Sequence, residues 1–191
     1  MSDDKIYISA NDLLADSLRL GMKVIDSGFE PTHLVGIWRG GAPVGIAVQE
    51  LLDYHGHHCD HIAIRTSSYK GIDDQNPQVR VFALGYLIDT LNPGDRLLII
   101  DDVFDSGRSI RAFIAELRAR CRHNMPRDIR IATVWFKPGR NVPDLRPDFF
   151  VHETDRWLIS PHEIDGLTVE EIRRHKPEAA IILREEEASH D

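Results

Sequence analysis

The sequence predicts an α/β protein with an open, mostly parallel sheet flanked by helices, and three observations carry that prediction. Apolar segments of strand length alternate with stretches of helical period. Gly, Pro and Asp punctuate the joins between them. One segment, residues 97–100, is aliphatic without interruption, as a central parallel strand covered on both faces must be.

Each element has its own justification. Residues 9–27 place Leu14, Leu18, Met22 and Ile25 on one helical stripe, with Ser9 and Asn11 as candidate caps. A short strand follows at 34–37. Pro43 opens a helix carrying Val44, Ala47, Val48, Leu51 and Leu52, and Gly56 closes it. Residues 62–65 form the next strand. Residues 66–81 are polar, contain Gly71 and Pro77, and exceed an ordinary connection, so they read as a functional lid or a disordered excursion, and a lid is favoured. The turn Asn92-Pro93-Gly94-Asp95 leads into the aliphatic strand. Ile110, Phe113, Ile114 and Leu117 mark a helix, Ile129, Ile131, Thr133 and Trp135 alternate into a strand, and 149–151 is a shorter strand. The last helix starts at Thr168, where Glu171 completes a capping box, and the acidic tail 185–191 is expected to fray. No internal repeat or linker divides the chain.

Composition narrows the function classes. At 191 residues, 42% of them hydrophobic, the chain is long enough for one domain that buries roughly 70% of its unfolded surface. Against 23 Lys and Arg stand 31 Asp and Glu, for a net charge of −8 with no basic arm, which excludes a nucleic-acid binder driven by counterion release. No apolar run approaches the roughly 20 residues of a membrane helix, and the start MSDDKIYIS lacks the regions of a signal peptide. A cytoplasmic protein is expected. Cys59 and Cys121 stand far apart without a C-x-x-C partner and are expected to be reduced, structural thiols.

The chemistry concentrates after the aliphatic strand, in Asp101-Asp102-Val103-Phe104-Asp105-Ser106-Gly107-Arg108-Ser109. A buried strand ends in two acids, and a small-residue loop then opens a helix. Ligands of open α/β sheets bind at such strand ends. Backbone N–H groups at Ser106, Gly107, Arg108 and Ser109, two hydroxyls and the positive helix end suit a phosphate monoester. Asp101 and Asp102 suit a sugar diol or a divalent cation, so the whole segment describes a sugar phosphate. A receiver domain also pairs acids after a strand, but after its first strand, whereas here half the chain precedes them. An Asp cap followed by solvated residues explains Asp105 and Ser106 and leaves Asp101 and Asp102 unexplained.

The segment resembles the PRPP-binding motif of type I phosphoribosyltransferases, with Ser106 and Ser109 where threonines are commoner and Arg108 where a smaller residue or lysine is. Four further segments agree. Trp38-Arg39-Gly40-Gly41 resembles the family's pyrophosphate loop: paired glycines let backbone N–H groups approach an anion, and Arg39 supplies charge. The spacing Gly40 to Gly45 also mimics half a Walker A loop, but Ile46 and Ala47 stand where Lys and Ser or Thr are needed. The family's peptide before the basic residue is often cis, which would place that bond between Trp38 and Arg39. Thr66-Ser67-Ser68-Tyr69 resembles the start of the catalytic loop of the 6-oxopurine branch, where Ser67, Ser68 and Tyr69 would close over pyrophosphate. Lys137 is similar to the lysine that contacts O6 of the purine. The segment 152–163 resembles the purine hood of bacterial xanthine-guanine phosphoribosyltransferases, which implies that Trp157 stacks on the base and the backbone around Leu158 reads its edge. Such stacking is worth about 1 to 3 kcal/mol.

The resemblance covers about residues 7–163 and implies a core at about 30–137, a small hood for the base at about 1–12 and 138–165, and a C-terminal helix and tail at 166–191. It implies transfer of 5-phosphoribosyl from PRPP to hypoxanthine, guanine or xanthine, with Mg2+ held by Asp102 and Glu163. Asp101 and Asp102 would orient the ribose hydroxyls, and Asp105 would handle the proton at N7 of the base. A homodimer or homotetramer is the expected assembly. Two rivals remain: a non-catalytic PRPP or nucleotide sensor of the same fold, and a phosphoribosyltransferase for another heterocycle. Retention of Asp105, Ser67, Tyr69 and Lys137 argues for catalysis, because a sensor needs the cradle and not the proton handler. His55, His57, His58, Cys59 and His61 crowd one connection, and a solvated His-rich loop is expected there rather than a metal site.

Overall fold

The computed structural model describes residues 5–69, 78–140 and 145–188. Two compact units divide the chain, residues 14–155 and residues 1–13 with 156–191.

In the larger unit six strands form one sheet: β2 (His33–Trp38), β3 (Asp60–Tyr69), β4 (Gln78–Phe82), β5 (Arg96–Phe104), β6 (Asp128–Phe136) and β7 (Phe149–Glu153). Their order is β4-β3-β2-β5-β6-β7, parallel throughout except for antiparallel β4. Leu97, Leu98, Ile99 and Ile100 have no exposed surface, which accounts for the uninterrupted aliphatic run. Helix α4 (Arg108–Cys121) buries Ile110, Phe113 and Leu117 at helical spacing, and these join Val35, Ile64, Leu97, Ile99 and Phe136 in one apolar cluster. The short α3 (Gly85–Thr90), for which the sequence pattern gave no sign, adds Leu87 to that cluster.

Helix α1 (Ala10–Asp26) forms where the period predicts it and turns a different face inward. Leu14 is 53% exposed, whereas Leu13, Asp16, Ser17, Leu20 and Val24 are buried. The stripe of Leu14, Leu18, Met22 and Ile25 fails because small and polar residues occupy buried positions. Asp16 accepts from the side chains of Arg19 and His152, the latter at 2.8 Å, and Gly21 lies where a Cβ would come within 2.8 Å of Leu51 on α2 (Gly41–Tyr54).

The ends of the segment 66–81 are strand rather than connection. Thr66 to Tyr69 continue β3, and β4 pairs with them antiparallel, Thr66 opposite Val81 and Ser67 opposite Arg80. Its arms are a hairpin because alternating Val79 and Val81 give one strand an apolar face, a signal too short to outweigh the polar composition. The connection at 70–77 lies outside the described residues.

The smaller unit pairs β1 (Lys5–Tyr7) with β8 (Trp157–Ile159), parallel. The single C-terminal helix expected from Thr168 is two, α5 (Val169–His175) and α6 (Pro177–Ala188), because the residue before a proline is pushed out of the helical region. Lys176 has φ −139° and ψ 65°. The capping box is present, Thr168 accepting from the Glu171 N–H while Glu171 accepts from the Thr168 N–H. Helix α6 runs to Ala188, so 185–188 keep helical backbone where fraying was expected.

Candidate active site

Strands β2 and β5 are neighbours, yet β2 connects onward to β3 on one side and β5 to β6 on the other. The strand order reverses between them, and open α/β sheets bind ligands at that reversal. Both strands lead there into helix N-termini without a side-chain cap, α2 after Gly40 and α4 after Gly107. Two positive helix ends therefore flank the tip of β5.

That tip carries the acids. The Asp102 N–H donates to Oδ1 of Asp101 at 3.0 Å, and the Val103 N–H to Oδ1 of Asp102 at 2.9 Å. Burial, then the neighbouring Asp102 carboxylate, raise the Asp101 carboxyl well above the usual range. Asp102 reaches toward the β2 loop, where a Cβ on Gly40 would lie 2.1 Å from its carboxylate carbon. A Cβ on Gly41 would lie 2.4 Å from the Ile100 carbonyl. The glycine pair is thus needed for close packing against the acid-bearing strand, a role beyond exposing N–H groups. The peptide between Trp38 and Arg39 is cis, and the Arg39 side chain is exposed.

The phosphate loop closes around a cavity of about 80 Å³ lined by Asp101, Val103 and residues 104–110. Gly107 has φ +70°, and a Cβ there would meet the Phe104 ring at 2.6 Å, so only glycine fits. Asp105, Ser106, Arg108 and Ser109 all lie on this loop or on the first turn of α4. Strand register then brings in β6: Phe104 pairs with Phe136, and the Lys137 N–H donates to the Phe104 carbonyl at 2.9 Å. Lys137, one residue on, is 4% exposed. From the short turn Pro138–Arg140, Arg140 approaches Asp105, Nη1 to Oδ2 at 3.6 Å. The sequence pattern did not single out Arg140, since a cation on a three-residue turn has no periodicity to mark it.

Among the described residues, three buried side-chain polar atoms lack a partner: Oδ1 of Asp105, Oγ1 of Thr133 and Nε1 of Trp135. All three lie on β6 or just beyond β5, and Thr133 is the register partner of Asp101. An unpaired buried polar atom costs about 1 to 3 kcal/mol, a cost that a bound ligand can relieve.

Of the predicted lid residues, Ser67 is half-buried in the hairpin arm, and Ser68 and Tyr69 continue the same strand. In the smaller unit Trp157 is 54% exposed, while Leu158 is buried. Glu163 accepts the Ser160 N–H at 2.8 Å. Beside the histidine-rich connection, Asp53 near the end of α2 accepts from Gln49 and is paired with Nδ1 of His58 at 2.9 Å. The strand that follows it, β3, is interior, between β2 and β4. Among the described residues no three His, Cys, Asp or Glu side chains are grouped to hold a metal ion. Both cysteines are free; Cys121 is buried, and burial pushes the Cys59 thiol up to about 11. No helix among the described residues is long and apolar enough to cross a membrane.

Known proteins resemble this chain in sequence and fold. A hypoxanthine-guanine phosphoribosyltransferase of Streptococcus pyogenes is 25% identical over 182 residues, which cover 95% of this chain and 94% of the relative. The crystal structure of a purine phosphoribosyltransferase from Pyrococcus horikoshii superposes with a TM-score of 0.69 at 22% identity, covering 86% of this chain and 97% of the other. A xanthine-guanine-hypoxanthine phosphoribosyltransferase of Helicobacter pylori superposes with a TM-score of 0.63 at 21% identity, covering 90% and 99%. The phosphoribosyl transferase domain matches residues 7–171, a span that takes in the acid pair, the phosphate loop, the glycine loop and Lys137, and the chain belongs to that family.

Proposed function

We propose that this chain transfers 5-phosphoribosyl from PRPP to a 6-oxopurine, hypoxanthine, guanine or xanthine, releasing pyrophosphate and the purine nucleoside monophosphate. The observation that carries this reading is Asp105, whose Oδ1 is buried without a partner at the phosphate loop, just past the Phe104–Phe136 pair that Lys137 also follows. A carboxylate oxygen in that state suits the N–H of a purine imidazole ring, and a buried ammonium suits O6. The Streptococcus pyogenes relative, whose name gives hypoxanthine and guanine, supports the same substrate class.

Each part of the chain then has a task. The N–H groups of Ser106, Gly107, Arg108 and Ser109 hold the 5'-phosphate. Asp101 and Asp102 orient the ribose hydroxyls. Arg39 with the Gly40 and Gly41 backbone grips pyrophosphate, and Ser67, Ser68 and Tyr69 exclude water from the cation-like sugar. Asp105 holds and moves the proton at N7 as the purine nitrogen displaces pyrophosphate from C1. Little covalent work falls to the protein, so positioning and charge dominate. Trp157, with its exposed indole, stacks on the base, and the Leu158 backbone reads its edge.

Magnesium fits the donor set. It usually binds through one or two carboxylates together with substrate oxygens, so Asp102, seated in the space that Gly40 leaves, suffices on the protein side. When bound, the ion offsets the charge of the leaving pyrophosphate. The protein works in the cytoplasm as a homodimer or homotetramer. An apolar groove of about 210 Å³ lined by Leu34, Trp38, Ile46 and Ile62, with Trp38 and Ile46 exposed, supports self-association.

Pyrophosphate release from PRPP and magnesium, with hypoxanthine, guanine, xanthine, adenine and uracil supplied separately, tests this reading. Turnover confined to one or more of the 6-oxopurines is expected. Turnover with adenine or uracil alone, or PRPP binding without any pyrophosphate release, contradicts it, and the latter outcome favours a sensor.

A further inference from the structure

Lys176 lies beyond residue 171, where the family match ends, and is only 7% exposed. It occupies the break between α5 and α6, its N–H donating to Ile172 at 2.8 Å and its carbonyl accepting from Ala180 at 3.0 Å. From that elbow the ammonium donates to the Ser160 carbonyl at 2.7 Å and the Pro161 carbonyl at 3.0 Å. These carbonyls directly follow β8, the strand of Trp157 and Leu158. Glu163 closes the same turn from the other end, its N–H donating to the Ser160 carbonyl at 3.0 Å and its Oε2 accepting from the Ser160 N–H.

A buried ammonium is expensive unless its donors are filled, and here backbone carbonyls fill them. Burial lowers the Lys176 pKa, and attraction to Glu163 opposes that shift. A second tie acts on β1, where Glu171 accepts from Lys5 and Tyr7. The two C-terminal helices therefore hold both strands of the smaller unit, β1 through Glu171 and the end of β8 through Lys176.

We propose that Lys176 is a positioning residue for the purine: it fixes the turn after β8, and with it the backbone at Leu158 that reads the substituent at C2 of the base. The inference rests on the proposed function and deepens it, assigning discrimination among 6-oxopurines to a side chain outside the family match. Hypoxanthine carries only hydrogen at C2, whereas guanine carries an amino group and xanthine an oxygen. Loosening the turn therefore penalises guanine and xanthine more than hypoxanthine.

Lys176→Met keeps the length of the side chain and removes its donors. Loss of a charged hydrogen bond predicts that KM for guanine or xanthine rises about tenfold, while KM for hypoxanthine and for PRPP stay within about threefold. Lys176→Arg restores part of the discrimination. If the methionine variant does not fold, Lys176→Gln, which keeps an N–H donor, is read by the same ratios. An equal change for every base and for PRPP would mean a merely structural lysine and overturns the inference, as does no change. If the unmutated protein turns over no 6-oxopurine, the proposed function itself falls, an outcome visible before any variant is made.

Discussion

Asp101 and Asp102 are adjacent on β5, yet their surroundings differ sharply. Asp102 fills the space that Gly40 leaves open, while the Asp101 carboxyl is buried and its pKa raised. For a carboxyl whose folded pKa exceeds its unfolded value, ionisation opposes folding, so stability is lost as pH rises above 3.8 through the raised value. Asp101→Asn is therefore expected to raise the melting temperature at neutral pH while weakening PRPP binding. Thermal melts and PRPP titration check both; a variant no more stable than the parent at neutral pH contradicts the burial argument. At this scale the loops that carry the candidate residues were legible, because acids, glycines and hydroxyls at fixed offsets mark a strand end followed by a helix start. Arg140 was not, and neither was the second role of Gly40 and Gly41, since a close approach between β2 and β5 is invisible until the strands are paired.

Elements were legible where one period dominated. The aliphatic β5 and the stripe of α4 read directly, whereas α1 misled because Asp16, Ser17 and Gly21 face inward. Asp16 can do so only because His152 and Arg19, the former far along the chain, supply its partners. The break before α6 was available in Pro177. The tie between α5 and β1 carries its own test. Lys5, the Thr168 N–H and Tyr7 hold the Glu171 carboxyl down at about 2, from an ordinary 4.5. A depressed carboxylate contributes stability above its unfolded pKa and loses it as pH falls through the folded one. Glu171→Gln is expected to flatten the acid dependence of melting between 4.5 and about 2 and to leave its neutral-to-alkaline course little changed. An unchanged acid limb in the variant contradicts the role of this tie.

At the scale of the molecule, a mostly parallel sheet whose order reverses between β2 and β5 places the glycine loop, the acids and the phosphate loop at one strand end. The fold class was legible because it rests on alternation along the chain; the order of strands and the pairing of β1 with β8 were not, because pairing is a property of distant segments. Self-association through the apolar groove predicts a mass in light scattering of two or four chains, and Ile46→Glu, which places a charge on that face, is expected to lower it. A monomeric parent protein contradicts the proposed assembly. The central claim is that Asp105 handles a proton while the rest of the site holds PRPP. Asp105→Asn, assayed for both PRPP affinity by calorimetry and turnover with the preferred base, separates the two. Turnover reduced about 100-fold or more with PRPP affinity kept is the expected result; turnover kept, or lost only in step with PRPP affinity, would contradict the account.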